Sequence, residues 1–306
     1  MTGAVDYRTE LKESIRGKVL CDDKCDRYTS IGVGGKADAV IFPENRDELN
    51  TVVSYLRTRS IPFLPVGNWT NLIVKDAGFR GALISLKGLQ DVRLEAGVED
   101  TVYIHAEAGA NLTALVNLAI RESLTGMEFC AGIPGSVGGA LRMNAGAFGR
   151  EIKDILSRIT LLDESGHFRE LSVDALSFSY RNLALPDGAF IVEASFSLRR
   201  GRGEEITAAI ADILDLRKKK HPLEFKNAGS IFKNPKGLPA GQIIDELGLK
   251  GVQIGDARIS ERHGNFIVNV GHAQARDILA LIDMIRERVK REKGITLETE
   301  VKIVGE

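Results

Sequence analysis

The sequence has no long apolar run and little cysteine, and each absence narrows the class of protein. No apolar stretch reaches the ~18 residues of a membrane span, and the start of the chain lacks the basic and apolar parts of a signal peptide. A metal at Cys21 and Cys25 would need further ligands, and no second Cys/His pair of matching spacing follows. We therefore expect no membrane span, no bound metal, and a cytoplasmic protein with reduced thiols.

The chain also has no surplus of either charge, since it carries 41 basic and 42 acidic residues. A protein that binds nucleic acid through bulk charge carries a basic surplus, so we expect no nucleic-acid partner. The length of 306 residues is ample for a core and fits one large domain or two to three smaller ones. Glycine is enriched, with 32 residues, or about one in ten against a typical ~7%. These glycines cluster, and the clusters carry the functional signal.

Apolar spacing predicts helices and strands in alternation, as in a layered α+β or α/β structure. Predicted helices cover 42–57, with Asn45 as a cap, 206–219, the segment that Asn111 caps, and a long helix whose apolar stripe runs from Ile278 to Val289. Predicted strands cover 61–66, 81–86, 101–108, 189–198, 265–270 and 297–304, and residues 155–171 are predicted as a hairpin. In the strand 189–198, alternate positions from Phe190 to Leu198 predict a single apolar face. The charged, glycine-rich segment 199–205 is the best candidate for a boundary between an N-terminal and a C-terminal part.

Two glycine-rich loops are candidates for binding a diphosphate. In the loop AGIPGSVGGALRMNAGAFG (131–149), six glycines leave backbone N–H groups without a neighbouring Cβ atom, and Ser136 adds a hydroxyl. A series of tight turns explains these glycines equally well. The loop VGNWTNLIVKDAGFRG (66–81) carries further donors. Neither loop has the spacing of a dinucleotide-binding βαβ unit or of a P-loop, but together they could clamp the diphosphate of a dinucleotide such as FAD.

Eight blocks along the chain, in order, resemble the UDP-N-acetylenolpyruvoylglucosamine reductase family, also called UDP-N-acetylmuramate dehydrogenases. The blocks are YTSIGVGGKAD (28–38), GNWTNLIVKDAGFRG (67–81), AGIPGSVGGALRMNAGAFG (131–149), FSYRN (178–182), NAGSIFKNP (227–235), AGQIIDELGLKG (240–251), HGNFIVN (263–269) and LETEV (297–301). The order of the blocks makes the resemblance specific, whereas no single block would. The chain lacks a long insertion after Arg181, so it resembles the shorter-loop class of the family.

The resemblance implies an α+β fold: a two-subdomain FAD-binding fold like that of the vanillyl-alcohol oxidases, plus a C-terminal α+β substrate-binding domain. We expect an N-terminal helical segment (1–27), an FAD-binding domain (28–200) split near residue 88, and a substrate-binding domain (201–306). The sequence departs from the family pattern in the phosphate loop, where Trp69 stands at the second glycine and Thr70 at the serine. Gly32 stands where many members carry arginine, and Leu183 where serine is common.

The resemblance also implies the reaction. NADPH reduces bound FAD, and the reduced flavin transfers hydride to the enolpyruvyl group of UDP-N-acetylglucosamine enolpyruvate. The product is UDP-N-acetylmuramate, a precursor of peptidoglycan, which links the enzyme to cell-wall synthesis, cell shape and cell division. We expect a monomer or weak oligomer. The implied FAD contacts are Gly67, Asn68, Thr70, Asn71, Leu72, Gly132, Ile133, Pro134, Gly135, Ser136, Gly139, Asn144 and Gly146.

Three residues match the catalytic groups of the family. Ser230 matches the proton donor, Arg181 the arginine that stabilises the substrate carboxylate, and Glu300 a third group that acts on the developing enolate. Taken alone, these residues would be interpreted as a turn serine, a surface arginine and part of a solvated strand face. The substrate-binding residues that we expect are Tyr180, Arg217, Lys220, Lys233 and Asn234.

Four other polar residues are predicted to lie outside the chemistry, His221 and His263 as structural or peripheral groups and Asp245 and Glu246 on an exposed helix face. Two alternative functions remain. One is a related FAD enzyme that oxidises an alcohol or hydroxy acid, although no histidine in 66–81 could tether the flavin. The other is a flavin module that only relays electrons to a partner protein.

Overall fold

The structure, a computed structural model, describes residues 6–306. Over these residues the chain forms seven α-helices: α1 (Tyr7–Ser14), α2 (Arg46–Thr58), α3 (Leu112–Arg121), α4 (Val137–Arg142), α5 (Gly203–Lys220), α6 (Ala240–Glu246) and α7 (Ala275–Lys293). None of these helices is long and apolar enough to cross a membrane.

The strands are mostly short. They are β1 (Lys18–Lys24), β2 (Lys36–Phe42), β3 (Phe63–Val66), β4 (Leu72–Val74), β5 (Phe79–Ser85), β6 (Val92–Ala96), β7 (Thr101–Glu107), β8 (Leu124–Thr125), β9 (Gly146–Ala147), β10 (Arg150–Glu151), β11 (Leu156–Leu162), β12 (Phe168–Ser172), β13 (Ser177–Ser179), β14 (Asn182–Ala184), β15 (Phe190–Arg200), β16 (Lys226–Ser230), β17 (Gln253–Ile254), β18 (Ala257–Ile259), β19 (Phe266–Asn269) and β20 (Lys302–Val304).

The chain divides into two compact units, each made of three segments. The first unit holds the residues up to Cys21, Ala39–Asn68 and Gly81–Asp215. The second holds Asp22–Asp38, Trp69–Arg80 and Leu216–Glu306. The segment predicted as helical (1–27) contains helix α1 and also strand β1, and its first five residues lie outside the described part of the chain.

The first unit is built on an antiparallel sheet with the strand order β12-β11-β15-β7-β6. The predicted hairpin is present, since β11 pairs with β12 from Arg158 to Leu162. Strand β15 extends from Phe190 to Arg200 between β11 and β7, and its side chains are buried at every position up to Phe196. The predicted single apolar face is therefore incomplete, because the side chains on the other face of the strand are buried as well.

Helix starts in the first unit follow local sequence signals. The Asn45 side chain caps α2 by accepting a hydrogen bond from the Glu48 N–H at 2.9 Å, and Asn111 caps α3 through the Thr113 N–H at 2.9 Å. Both caps confirm the predictions. The candidate boundary segment (199–205) is nearly all regular structure, because β15 continues to Arg200 and α5 begins at Gly203.

The second unit contains a four-stranded sheet with the order β16-β19-β18-β17 and a core of its own. Helix α7 packs into this core along the predicted apolar stripe, which is at most 1% exposed: Ile278, Leu281, Ile282, Ile285 and Val289. The helix ends at Gly294, whose φ of +69° is a common way to stop a helix.

The last predicted strand (297–304) is shorter in the structure, where β20 covers only Lys302–Val304. The preceding residues bond to a different neighbour, since Glu298 accepts from the Lys233 N–H at 2.9 Å and Thr299 forms a bridge with Phe232. The chain then moves to β4, with which β20 pairs in parallel. A change of partner in mid-strand leaves no signal in the local sequence, so periodicity alone could not predict it.

Candidate active site

The glycine-rich segment 131–149 forms a turn in the first unit that leads into helix α4. Gly132 and Gly135 have φ values of +70° and +146°, which residues with a side chain rarely adopt. Ser136 is the N-cap of α4, and its Oγ accepts a hydrogen bond from the Gly139 N–H at 3.3 Å. Backbone conformation therefore requires glycine at two positions before the helix.

The loop at Gly67 approaches this segment closely within the first unit. A Cβ atom on Gly67 would lie 2.2 Å from Ser136 Oγ, so a larger residue there would displace the hydroxyl that caps α4. A Cβ atom on Gly138 would lie 2.9 Å from the Cβ of Ala108, which again requires glycine. Closely spaced N–H groups without side chains, beside hydroxyl and amide groups, form the donor set that a diphosphate needs. The residues present thus fit a dinucleotide cofactor of the FAD type.

The predicted cofactor residues differ in how accessible they are. Half-buried residues are Gly67, Asn68, Thr70, Asn71, Ile133, Gly135, Gly139 and Gly146; Gly132 and Pro134 are exposed; Leu72, Ser136 and Asn144 are buried. Leu72 begins strand β4 with its side chain in the protein interior, so only its backbone could bind a cofactor.

Arg181 lies at the tip of a small hairpin in the first unit. Strands β13 and β14 form three antiparallel pairs, and Tyr180 and Arg181 are the two residues of the turn. Arg181 has a φ of +57°, a left-handed conformation that costs energy for any residue other than glycine. Its Nη2 donates a hydrogen bond to the Gly146 carbonyl at 3.2 Å, and its Cζ lies 5.2 Å from the Tyr180 ring centre. The structure thus joins the predicted arginine to the glycine-rich segment.

Asn144 also connects this segment to the hairpin. It is fully buried, has a φ of +40°, and donates from Nδ2 to the Ser179 carbonyl at 3.2 Å. Its Oδ1 is buried and accepts no hydrogen bond from any residue in 6–306. A buried acceptor without a partner is costly, and such costs are concentrated at functional sites.

Ser230 and Glu300 lie on neighbouring segments of the second unit, although 70 residues separate them in sequence. Strand β16 ends at Ser230, which pairs with Phe266 of β19. The next residue, Ile231, accepts a hydrogen bond from the Glu300 N–H at 2.8 Å. Both predicted catalytic side chains are half-buried. Arg181 belongs to the first unit, whereas Ser230 and Glu300 belong to the second.

Asn71, in the segment Trp69–Arg80, is bonded to the segment that carries Glu300. Its Nδ2 donates to the Glu300 carbonyl at 3.1 Å, and its own carbonyl accepts from the Lys302 N–H at 3.1 Å. These two bonds bracket residues 300–302. Within the second unit, a predicted cofactor residue therefore directly supports a predicted catalytic one.

Asn265 is a supporting residue that no pattern in the sequence indicates. Only 3% of it is exposed, and both ends of its amide bond to Phe232: Oδ1 accepts from the Phe232 N–H at 2.9 Å and Nδ2 donates to its carbonyl at 2.8 Å. The block HGNFIVN contains this residue, but nothing in the block indicates a contact 33 positions away.

The side chain of Trp69, in the loop 66–81, is buried in the second unit. Its φ is +57°, the conformation that glycine adopts without strain, and its side chain is 2% exposed. The indole stacks on Tyr28, with ring centres 5.1 Å apart and an interplanar angle of 28°. Burial, together with the hydrogen bond that the Tyr28 hydroxyl donates to Asp23, raises the pKa of Tyr28 to about 12. A large residue is therefore accommodated at the glycine position because its side chain has a pocket in the second unit.

Two of the predicted substrate-binding residues make contacts beside Ser230. The Nζ of Lys233 lies 3.3 Å from Glu298 Oε2, on an exposed surface. The Oδ1 of Asn234 accepts from the Ala240 N–H at 2.9 Å, which holds the start of α6. Asn234 thus has a structural contact in addition to the role predicted for it.

The basic end of α5 carries Arg217 and Lys220 in its last turn, next to His221. The His221 ring centre lies 5.0 Å from that of Phe266, and the His263 ring 4.9 Å from it. Burial, followed by the charge of Arg217, lowers the pKa of His221 to about 4, and burial also lowers the pKa of His263. Asp245 and Glu246 are exposed on α6, as predicted. No group of three or more possible metal ligands lies within residues 6–306.

Two family models match the chain in separate parts. An FAD-binding domain model matches residues 37–172, and the model of the C-terminal domain of UDP-N-acetylenolpyruvoylglucosamine reductase matches residues 221–304.

Whole proteins match over nearly the full chain. A UDP-N-acetylenolpyruvoylglucosamine reductase from Syntrophus aciditrophicus is 56% identical over 98% of this chain and 96% of its own length. One from Caldanaerobacter subterraneus is 44% identical over 97% of each chain. The crystal structure of the Thermus caldophilus reductase superposes with a TM-score of 0.81 at 35% identity, covering 95% of this chain and all of that one.

Proposed function

The chain belongs to the UDP-N-acetylenolpyruvoylglucosamine reductase family, and we propose that it reduces UDP-N-acetylglucosamine enolpyruvate to UDP-N-acetylmuramate, with NADPH as reductant and FAD as cofactor. Membership confirms the predicted fold class, an FAD-binding part joined to a C-terminal domain of this family. The reaction supplies a precursor of peptidoglycan, and we propose that it takes place in the cytoplasm.

The glycine-rich loops are the proposed FAD site. The close approach of Gly67 to Ser136 and the positive φ values of Gly132 and Gly135 support this assignment. Bound FAD would supply a hydride carrier between NADPH and the enolpyruvyl double bond. The chain's own contribution would be to bind the diphosphate through backbone N–H groups, with hydroxyl and amide donors from Thr70 and Asn71.

Ser230 is the proposed proton donor. Hydride addition to the enolpyruvyl β-carbon leaves negative charge on the neighbouring carbon, which must then receive a proton. A hydroxyl is a weak acid in water, but one held beside such a carbon can donate as the charge develops. The observation that carries the proposal is the Glu300–Ile231 hydrogen bond, which brings the segments of Ser230 and Glu300 together.

Arg181 and Glu300 are the proposed electrostatic partners of the reaction. A guanidinium stays charged and can hold a carboxylate through two parallel hydrogen bonds, so Arg181 would stabilise the charge that spreads onto the substrate carboxylate. Its strained turn conformation supports a functional role, because strain of this kind persists where the surroundings enforce it. Glu300 would complete the polar environment of the developing enolate.

Five residues are the proposed contacts to the rest of the substrate: Tyr180, Arg217, Lys220, Lys233 and Asn234. Their basic members suit the two phosphates of the UDP group. Tyr180 is 45% exposed, so its ring is accessible to a bound sugar nucleotide.

The test uses purified protein, which should be yellow from bound FAD and should oxidise NADPH slowly on its own. Addition of UDP-N-acetylglucosamine enolpyruvate should stimulate NADPH oxidation strongly and yield UDP-N-acetylmuramate. A protein that responds instead to an alcohol or a hydroxy acid, with oxygen as acceptor, would be an oxidase. Protein without bound flavin, or without any response to the enolpyruvyl sugar, would contradict the proposal.

A further inference from the structure

The hairpin that carries Arg181 is too small to hold its own shape. It has three residue pairs, and isolated two-stranded hairpins are marginal in water. Its turn also contains the strained Arg181 backbone, with a φ of +57°. Contacts from outside the hairpin must therefore stabilise the turn.

Arg142, the last residue of α4, supplies such a contact on the C-terminal side of the turn. Its Nη1 donates to Asn182 Oδ1 at 2.9 Å and also to the Leu183 carbonyl. Asn182 directly follows Arg181, and Leu183 is fully buried in the core of the first unit. The Arg142 guanidinium thus connects the Tyr180–Arg181 turn to helix α4, and it also bonds to the backbone of the buried residue Leu183.

Asn144 binds the other side of the same turn through the Ser179 carbonyl. The residues before and after the Tyr180–Arg181 pair are therefore held from one short segment, 142–144. Because Ser136 of the glycine-rich loop caps α4 and Arg142 ends it, the same helix connects the loop to the turn. A shift of the Arg142 contact would move Arg181 relative to this loop.

We propose that Arg142 is a positioning residue, which acts on the reaction by fixing Arg181. This inference rests on the proposed function, because it matters only if Arg181 stabilises the substrate carboxylate. The side chain of Arg142 is exposed, so it contributes little to the core, and its specific role lies in the hydrogen bonds to Asn182 and Leu183.

The first experiment compares Arg142→Met, Arg142→Lys and the unsubstituted protein, each with bound FAD. Rapid mixing measures reduction of the flavin by NADPH and its re-oxidation by the enolpyruvyl UDP-sugar separately. Arg142→Met should slow re-oxidation about tenfold to a hundredfold, the loss typical of misplaced catalytic groups, and leave reduction unchanged. Arg142→Lys keeps a cationic donor and should recover most of the rate.

A matched control is Arg121→Met, because Arg121 is likewise the exposed last residue of a helix in the first unit, and its guanidinium forms an ion pair with the neighbouring Glu122. This variant should leave both half-reactions unchanged. Calorimetry with the oxidised protein should show weaker binding of the enolpyruvyl UDP-sugar to Arg142→Met, which is a readout independent of turnover.

A double-substitution cycle gives the decisive result. If Arg142 acts through Arg181, Arg142→Met should cause no further loss in an Arg181→Lys background. Additive losses, or equal slowing of both half-reactions with a lowered melting temperature, would overturn the inference. An unsubstituted protein that never responds to the enolpyruvyl sugar would instead refute the proposed function, so the two failures are distinguishable.

Discussion

The two predicted catalytic regions are supported by different kinds of contact. In the first unit, side chains at 142 and 144 hold the Arg181 turn, and three nearby residues adopt left-handed backbone conformations: Asn144, Phe148 and Arg181. In the second unit, backbone hydrogen bonds run from Ile231 and Lys233 to the segment 298–300. The Tyr180–Arg181 turn should therefore be sensitive to substitution at 142 and 144, whereas the Ser230 and Glu300 segments, which the backbone joins directly, should depend on supporting side chains mainly at Asn71 and Asn265.

The largest expected effect is that of Ser230→Ala in the second unit, and Ser136→Ala in the first unit serves as its comparison. Ser230→Ala should slow re-oxidation of the flavin by substrate about a hundredfold to ten-thousandfold, because general acid catalysis is lost, with reduction by NADPH and stability unchanged. Ser136→Ala should instead lower stability by about 1 kcal/mol through loss of the α4 cap. Rapid mixing and denaturant unfolding separate the two effects. Equal loss in both half-reactions for Ser230→Ala would remove it from the proton-donor role.

Two buried asparagines extend the comparison to stability. Asn265→Ala should lower the free energy of unfolding by about 2 kcal/mol, because it leaves the buried Phe232 N–H and carbonyl without partners. Asn144→Gly removes one hydrogen bond but also relieves a strained φ, so its cost should be smaller. Denaturant titrations measure both values. If Asn144→Gly lowered the free energy of unfolding more than Asn265→Ala, the side-chain amide of Asn144 would contribute more to stability than that of Asn265, contrary to the prediction.

A histidine in each unit extends the comparison of the two units to the pH dependence of stability. His105 in the first unit is hydrogen-bonded at both ring nitrogens, to Ser195 and Glu95, whereas His221 lies among aromatic rings and cations. Because the folded pKa of His221 is about 4, below the usual 6.5, the folded state favours the neutral ring. Its contribution to stability is complete above pH 6.5 and is lost as the pH falls from there to about 4.

The variant His221→Gln should flatten this acid limb of the stability profile, by at most about 1.4 kcal/mol per pH unit. Unfolding in denaturant at a series of pH values measures the slope. A profile identical to that of the unsubstituted protein would show that His221 is solvated in the folded state.

The smallest expected effect concerns strain at Trp69, in the second unit. Trp69→Ala and Trp69→Gly both lose the stack on Tyr28, but only glycine also removes the left-handed cost. The glycine variant should therefore be more stable than the alanine variant by about 1 kcal/mol. Thermal unfolding with both proteins loaded with FAD tests the difference. Equal stabilities would mean that the backbone strain at Trp69 is negligible.

Local features were predictable from the sequence because their causes lie within a few residues. The Asn45 and Asn111 caps and the stripe of α7 depend on helical spacing alone. The direction of the Trp69 ring was not predictable, since it depends on Tyr28, which is distant in sequence. The Arg142 contact was also missed, because nothing in the segment 131–149 indicates a partner 40 residues away.

By itself, the sequence determined the family, the two glycine-rich loops and the residue types available for the chemistry, because motifs and periodicity are properties of neighbouring positions. Only the tertiary structure decided that Gly67 packs on Ser136, that the Glu300 N–H binds Ile231, and that Arg142 and Asn144 hold the turn of Arg181. Such contacts depend on how distant segments pair and pack, and the free energy that selects them is shared among many residues rather than encoded at any one of them.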